Sequence, residues 1–353
     1  MTTKIVKVDP RAPQEELINQ AAIALAKGKL VIIPTETVYG VAANALDKKA
    51  IERLSDIKKR PKDKPFSLHI DEKIKIEHFA KDIPIAAYKL ISKFWPGPLT
   101  IILQSRDQGT IGIRMPDNEI ALRIITLAKV PVVCPSANLS GNPAPVTFQD
   151  AIRDLNGLVD FAVDAGETKL KTESTVVDLT AEPLKVLREG AISSADIMAA
   201  AKRKVVLFIC TGNSCRSVMA EALLRKKLKQ LGRHDVDVIS AGIVLVGGFG
   251  ASYDTRQLLA REGIDASTHL SQRVTREMVK ESDLILVMEH LHEERILQIA
   301  PEAKNRVYLL KEFAKIEDNN NLDILDPIGR PMEFYERTFG MIKEAVERVS
   351  QLI

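Results

Sequence analysis

Two cysteines and an arginine fall within Cys210-Thr-Gly-Asn-Ser-Cys-Arg216, where an apolar run (Val205 to Ile209) meets a helix-forming segment rich in alanine and leucine. Strand, tight turn and helix start, in that order, aim backbone N–H groups and the positive end of a helix dipole at one point, so the turn can cradle an oxyanion. The same field favours a cysteine thiolate, and Arg216 can grip a phosphate through two parallel hydrogen bonds. The chemistry implied is displacement at phosphorus with Cys210 as nucleophile, and Ser217 offers a hydroxyl donor that stabilises its thiolate. A leaving group must be protonated. Asp326-Pro327 follows the last strand-like run (Val307 to Leu310) and supplies a carboxyl group for that step, with the carboxylate then assisting water attack on the cysteinyl-phosphate.

Polar residues with a different character lie upstream, in Pro34-Thr-Glu-Thr-Val-Tyr-Gly-Val41, Lys58-Lys-Arg60, Trp95-Pro-Gly-Pro-Leu-Thr100, Gly112-Ile-Arg-Met-Pro116 and Cys134-Pro-Ser-Ala-Asn-Leu-Ser-Gly141. Each reads as a strand or helix end followed by a polar tip. Lys58 and Arg60 have the chemistry of a triphosphate clamp, although such a pair alone is ordinarily solvated surface, and Ser136 with Asn138 alone is an ordinary turn. His69 alone reads as a packed histidine, Cys134 as inert core, and Trp95 as turn packing rather than a base-stacking platform. His290 and His292 do not share a helix face, so they read as solvated and no metal site is expected.

These residues need a scaffold. The chain has 353 residues, is 45% hydrophobic, and carries a net charge of +3 from 50 basic and 47 acidic side chains. That length suggests two or three domains, and the near-balance of charge gives no sign of a globally basic nucleic-acid binder, so such a role would need a local patch, for which Lys58 to Lys64 is one candidate. Three cysteines, two of them in the loop, give no disulfide framework and point to a reducing, cytoplasmic setting. No apolar stretch approaches the ~18 residues of a membrane span, and the first residues are not signal-like. Helices at Gln14 to Lys27 and Lys48 to Lys58 alternate with apolar runs at Lys29 to Pro34, Phe66 to Ile70, Leu99 to Leu103, Gly112 to Met115 and Pro131 to Cys134, which predicts an α/β domain with a twisted mixed sheet and flanking helices. Residues 190–204 have helix formers but little to bury, placing a boundary near 200 and domains at 1–200 and 201–353. Beyond it, runs at Val205 to Ile209, Val236 to Ser240, Leu284 to Val287 and Val307 to Leu310 predict a doubly wound, four-stranded parallel sheet. Asp318 to Asn321 reads as a mobile loop.

With Ser240-Ala-Gly242, His269 and Asp326-Pro327 beside the cysteine loop, residues 204–353 resemble the low-molecular-weight protein tyrosine phosphatase family. The resemblance implies that Asn213, Ser240 and His269 brace the loop and that Cys215 can pair reversibly with Cys210 under oxidation. Ser214 stands where tyrosine-directed members carry a branched aliphatic residue, and no aromatic ring flanks Asp326-Pro-Ile-Gly329. Both features are similar to the protein-arginine phosphatase branch, which makes phosphoarginine proteins the preferred substrate expectation and phosphotyrosine proteins the alternative, with Phe249 or Tyr253 then providing the aromatic wall. Arsenate reduction is a further reading, but this domain has no relay cysteine after Cys215.

In combination, Thr35, Lys58, Arg60, His69, Arg114, Ser136, Asn138, Ser174-Thr175 and Arg188-Glu-Gly190 resemble the threonylcarbamoyl-AMP synthases of the YrdC-like family, from about residue 14 to 193. The resemblance implies that L-threonine, bicarbonate and ATP yield threonylcarbamoyl-adenylate and pyrophosphate for tRNA modification, with a separate transferase acting downstream on tRNA. It assigns Lys58, Arg60, Ser136, Asn138 and Arg188 to the nucleotide, and Thr35, His69, Arg114 and Ser174 to threonine. Mg²⁺ is expected to ride on the nucleotide, and no membrane partner is expected. The competing class is an RNA-binding module fused to a phosphatase.

Overall fold

The structure, a computed structural model, describes residues 2–59, 66–244, 248–316 and 321–353. Arg60, most of the Lys58 to Lys64 run, and Asp318 to Asn320 of the expected loop lie outside the described residues. The chain divides into two compact units between Ala201 and Lys202.

In the first unit the strands are β1 (Lys4–Lys7), β2 (Val31–Ile33), β3 (Gly40–Asn44), β4 (Leu68–His69), β5 (Ala80–Lys81), β6 (Leu99–Ser105), β7 (Thr110–Arg114), β8 (Val132–Val133), β9 (Phe161–Asp164), β10 (Thr175–Asp178) and β11 (Lys185–Arg188). They form one mixed sheet in the order β1-β9-β2-β3-β8-β4-β7-β6-β10-β11, with β5 beside β6. Both faces are covered, and the period of two along a strand sorts its residues between them. Ile32, Val41 and Ala43 join a core with Leu54, Leu90 and Ile101, whereas Val31, Ile33 and Ala42 join a second core with Ile18, Leu25 and Ile124. Strand β3 lies between the run Lys29 to Pro34 and the helix expected at Lys48 to Lys58, where the sequence reading places no strand. Its Gly-Val-Ala-Ala-Asn has little intrinsic strand preference, and antiparallel pairing with β2 and β8 decides its conformation.

The segment before the unit boundary differs from expectation. It forms the helix Ser194–Lys202, and Ile192, Ile197 and Ala200 are buried in the core of the first unit rather than lacking anything to bury. Small residues around a single isoleucine hide this in the sequence, because their apolar stripe is narrow.

In the second unit β12 (Lys204–Cys210), β13 (Val236–Gly242), β14 (Leu284–Val287) and β15 (Val307–Leu309) make a separate all-parallel sheet in the order β13-β12-β14-β15. Leu207 and Ile209 face one core, and Val206, Phe208 and Cys210 the other. The chain leaves β12 for β13 on one side and later reaches β14 on the other, so the loop after β12 opens at the switch point where such sheets receive ligands. No helix among the described residues is long and apolar enough to cross a membrane.

Ile197 gives a test of where the first unit ends. Ile197→Ala should lower the stability of that unit by ~2–4 kcal/mol. Trp95, the only tryptophan, lies in the same unit and reports its urea unfolding without interference from the second. An unchanged midpoint would show that this helix is not part of the first core.

Candidate active sites

The ends of β2, β4, β7 and β8 and the loops around 136 and 174 enclose a cavity of about 550 Å³ in the first unit. Thr35, Lys58, His69, Arg114, Ser136, Ser174 and Arg188 all line it. Thr35 shapes the turn between β2 and β3. Its hydroxyl donates to Val38 O (2.6 Å) and accepts from the Val38 N–H (3.2 Å). Since that proton is committed, the contact with Thr37 Oγ1 (2.8 Å) runs from Thr37 to Thr35.

Arg114, at the end of β7, is buried. It donates through Nη2 to Glu36 Oε1 (2.7 Å) and Thr37 Oγ1 (2.9 Å), tying β7 to the same turn. Glu36 was not among the residues singled out from the sequence, since one glutamate in a turn carries no signal of its own. Its Oε2 is buried without a hydrogen-bond partner. Burial and the neighbouring Arg114 charge push the His69 pKa down to about 3, so the imidazole is neutral at physiological pH. Burial likewise pushes the Cys134 thiol up to about 12 and keeps it protonated.

Across the cavity, Lys58 closes the helix Lys48–Lys58, whose first turn is capped by Asp47. Its ammonium donates to Ser136 O (2.8 Å), Asn138 O (2.7 Å) and Asn138 Oδ1 (2.7 Å), and Ser136 Oγ donates to Asn138 Oδ1 (2.7 Å). Arg188 donates to Ser174 O (3.0 Å) and Oγ (3.1 Å) and pairs with Glu173 (2.5 Å), while Ser174 Oγ meets Thr100 Oγ1 at 2.9 Å. Gly190 lets the backbone pass there, because a Cβ at that position would lie 2.2 Å from Glu173 O. The expected site residues within the described part of this unit therefore meet in one place: Asn138 bonds to the wall formed by Lys58 and Ser136. Trp95 is buried, with Nε1 donating to Leu99 O at 2.7 Å.

The cysteine loop of the second unit is fixed by Asn213, which has a left-handed backbone (φ 51°) and is fully buried. The Gln272 N–H donates to Asn213 Oδ1 (3.0 Å), which settles the amide orientation: Nδ2 donates to Ser217 Oγ (3.0 Å) and Ser240 Oγ (2.7 Å). Ser217 then directs its own hydrogen toward Cys210 Sγ, 3.0 Å away, and the Asn213 N–H lies 3.3 Å from the same sulfur. His269 Nε2 donates to Asn213 O (2.8 Å), and Ser240 passes the chain on to Glu221. Gly242 is required at its position, because a Cβ would lie 2.7 Å from Thr211 O and 2.9 Å from Asn213 N.

Arg216, only 1% exposed, begins the helix Arg216–Gln230. Its guanidinium donates to Thr211 Oγ1 (3.0 Å), Ile324 O (2.7 Å), Asp326 Oδ2 (2.5 Å) and the Glu289 carboxylate. Glu289 caps the helix His290–Ile299 and could not be read from the sequence as a loop partner. His292 corrects an expectation: it is fully buried rather than solvated, while His290 is exposed. One histidine of the pair faces inward because it completes the capping box with Glu289. Cys215 is a buried free thiol 3.3 Å from Ser252 Oγ and 3.7 Å from Tyr335 Oη. Its neighbour Ser214 has its carbonyl bonded by the Ser252 N–H (2.9 Å), one residue before the exposed Tyr253. Among the described residues no group of three or more His, Cys, Asp and Glu side chains is arranged to hold a metal.

Two family models match the chain, one in each unit. The Sua5/YciO/YrdC family model, described as telomere recombination, matches residues 23–190, and the low molecular weight phosphotyrosine protein phosphatase model matches residues 205–353. The chain belongs to the threonylcarbamoyl-AMP synthase family in its first unit and to the low-molecular-weight phosphatase family in its second. The threonylcarbamoyl-AMP synthase of Pyrococcus abyssi is 42% identical over 204 residues, 55% of this chain, and the chain spans 60% of that relative's length. A protein-arginine-phosphatase of Geobacillus stearothermophilus is 36% identical over 146 residues, covering 41% of this chain and 93% of its own. The solved structure of P. abyssi Sua5 complexed with L-threonine is similar in fold, with a TM-score of 0.55 over 97% of this chain and 98% of that one at 24% identity.

The buried neutral His69 makes the first unit acid-sensitive. Its folded pKa lies below the unfolded value of about 6.5, so the unfolded chain binds the extra proton and stability falls as pH drops from about 6.5 toward 3. The slope from this group approaches ~1.4 kcal/mol per pH unit. Denaturation followed by Trp95 should show it, and His69→Gln should flatten it; an equal slope in both proteins would place the acid sensitivity elsewhere.

Proposed function

We propose that the chain is bifunctional, with an adenylate-forming synthase in the first unit and a cysteine-dependent protein phosphatase in the second. For the synthase, the supporting observation is a cavity that gathers Lys58, Arg114 and Arg188 with hydroxyl and amide groups and presents a protonated Cys134 rather than an activated nucleophile. Such a site suits a reaction that needs positioning and charge neutralisation. The amine of L-threonine and bicarbonate form a carbamate with loss of water. Its oxygen attacks the α-phosphorus of ATP, giving threonylcarbamoyl-adenylate and releasing pyrophosphate.

In this reading Lys58, Ser136, Asn138 and Arg188 hold the nucleotide together with Arg60, and Thr35, His69, Arg114 and Ser174 hold threonine. A neutral His69 suits the zwitterion, because it adds no second charge beside Arg114. Mg²⁺ arrives on the nucleotide and neutralises its phosphates. A separate transferase receives the product and modifies tRNA. The three free thiols, Cys134, Cys210 and Cys215, favour a cytoplasmic setting.

For the phosphatase, Cys210 attacks phosphorus, Arg216 and the loop N–H groups hold the phosphoryl oxygens, and Asp326 protonates the leaving group before assisting water. Phosphoarginine proteins are the favoured substrates: Ser214 and the carboxylates of Asp326 and Glu289 near the loop suit a cationic, hydrogen-bonding leaving group. The arginine phosphatase relative at 36% identity supports the same choice. Phosphotyrosine is the second reading, supported by Tyr253, 66% exposed and adjacent to the Ser252–Ser214 bond.

Two assays test these readings. Pyrophosphate release from ATP should require both threonine and bicarbonate, and Lys58→Ala should reduce it at least tenfold by raising the KM for ATP; tight RNA binding without threonine-dependent release would favour an RNA-binding module instead. With matched peptides, kcat/KM for phosphoarginine should exceed that for phosphotyrosine at least tenfold, about 1.4 kcal/mol in transition-state binding. The reverse preference would assign a tyrosine phosphatase, and turnover persisting in Cys210→Ser would remove the covalent route altogether.

A further inference from the structure

His292 and Thr211 form a pair that the reaction outlined above does not use. His292 is fully buried on the helix His290–Ile299, and Thr211 is the half-exposed residue directly after Cys210. The Glu289 backbone N–H donates to His292 Nδ1 at 3.1 Å. An N–H cannot accept, so Nδ1 carries no proton and the neutral ring holds its hydrogen on Nε2. Nε2 lies 3.0 Å from Thr211 Oγ1, and the direction of that bond is now fixed: histidine donates and threonine accepts. Arg216 Nη2 donates to the same oxygen at 3.0 Å. The two donors occupy both lone pairs of the hydroxyl, and its own hydrogen is left for an acceptor.

We propose that the Thr211 hydroxyl is a donor to the phosphoryl oxygens in the loop, and that His292 is the positioning residue that holds it in this role while helping to orient Arg216. The inference rests on the phosphatase reading of this unit. Burial and the Arg216 charge keep His292 neutral, with a pKa down at about 4, so the arrangement persists through the physiological range. A hydroxyl forced to accept twice is also a stronger donor, since hydrogen bonds in a chain polarise one another. Without the histidine hydrogen the hydroxyl would be free to turn toward Asp326 or Glu289, the carboxylates already gathered at Arg216.

The test is kinetic, on the full chain. Thr211→Val should lower kcat by about tenfold or more, the scale of losing one donor to a developing oxyanion. Thr211→Ser keeps the hydroxyl and should stay within about threefold of the parent. His292→Gln can still accept from the Glu289 N–H and donate to Thr211, and should recover most of the kcat that His292→Leu loses. His292→Leu should lose activity in the parent but add nothing on top of Thr211→Val, the signature of two residues acting through one bond. Binding of tungstate, measured by calorimetry, should weaken in Thr211→Val alongside kcat.

Unchanged kcat and tungstate affinity in Thr211→Val would overturn the proposal. So would a His292→Leu loss that persists in the Thr211→Val background, which marks a purely structural histidine. If Cys210→Ser turns over like the parent, the phosphatase reading itself fails and this inference falls with it.

Discussion

A buried guanidinium must find carboxylates, and each candidate site is built around that requirement. Arg114 and Arg216 are withdrawn from water at the ends of their sheets, where an unpaired charge would cost several kcal/mol. Glu36 answers the first, and Glu289 with Asp326 the second. The partners come from segments distant in the chain, so each arginine fixes the relative placement of the loops that form its site. In the first unit the pair binds β7 to the turn between β2 and β3. In the second it joins the cysteine loop to the start of the helix His290–Ile299 and to the stretch carrying Ile324 and Asp326.

The two sites then use this shared device in opposite ways. Around Arg114 a histidine and a cysteine are silenced: burial and the arginine itself hold His69 neutral, and burial holds Cys134 as the thiol. What remains are Lys58, Arg114 and Arg188, the two arginines held by Glu36 and Glu173, as groups that can orient anions. Around Arg216 the chain places a cysteine, a hydroxyl donor and a carboxyl group, the parts of a reaction in which protons must move. The cavity lined by Lys58, Arg114 and Arg188 suits a reaction driven by positioning, whereas the Cys210 loop suits one with a covalent intermediate.

Most of this was legible in the sequence wherever chemistry and position coincide in a short stretch. Cys210 to Ser217 reads directly, because strand, turn and helix start are consecutive. The four-stranded parallel sheet follows from apolar runs fed alternately into two cores. Partners supplied from afar did not read. Glu36, Glu289 and His292 are ordinary residues in ordinary local settings, and only the fold reveals that each meets an arginine or a loop hydroxyl. Strand β3 was hidden for a related reason, since its conformation is set by pairing with β2 and β8 and not by its own residues. The helix Ser194–Lys202 was underestimated because alanines bury little area each, although Ile197 anchors it to the first core.

The Arg216–Asp326 contact imposes an order of events on the proposed phosphatase. Asp326 Oδ2 sits 2.5 Å from Nη2, and a phosphoryl group gripped by two guanidinium hydrogens competes for that same face of the arginine. Arriving phosphate must therefore displace the carboxyl group. Its other oxygen accepts from the Ile328 N–H at 3.1 Å, an anchor that lets the side chain swing without the loop unfolding. Once displaced, the carboxyl group stands beside the bound anion, where the proposed reaction needs a proton donor for its leaving group. Departure of that group and later of phosphate restores the pair with Arg216. Substrate binding and release of the carboxyl group are thus one exchange at a single guanidinium, and Glu289, the second carboxylate on Arg216, compensates its charge while Asp326 is away.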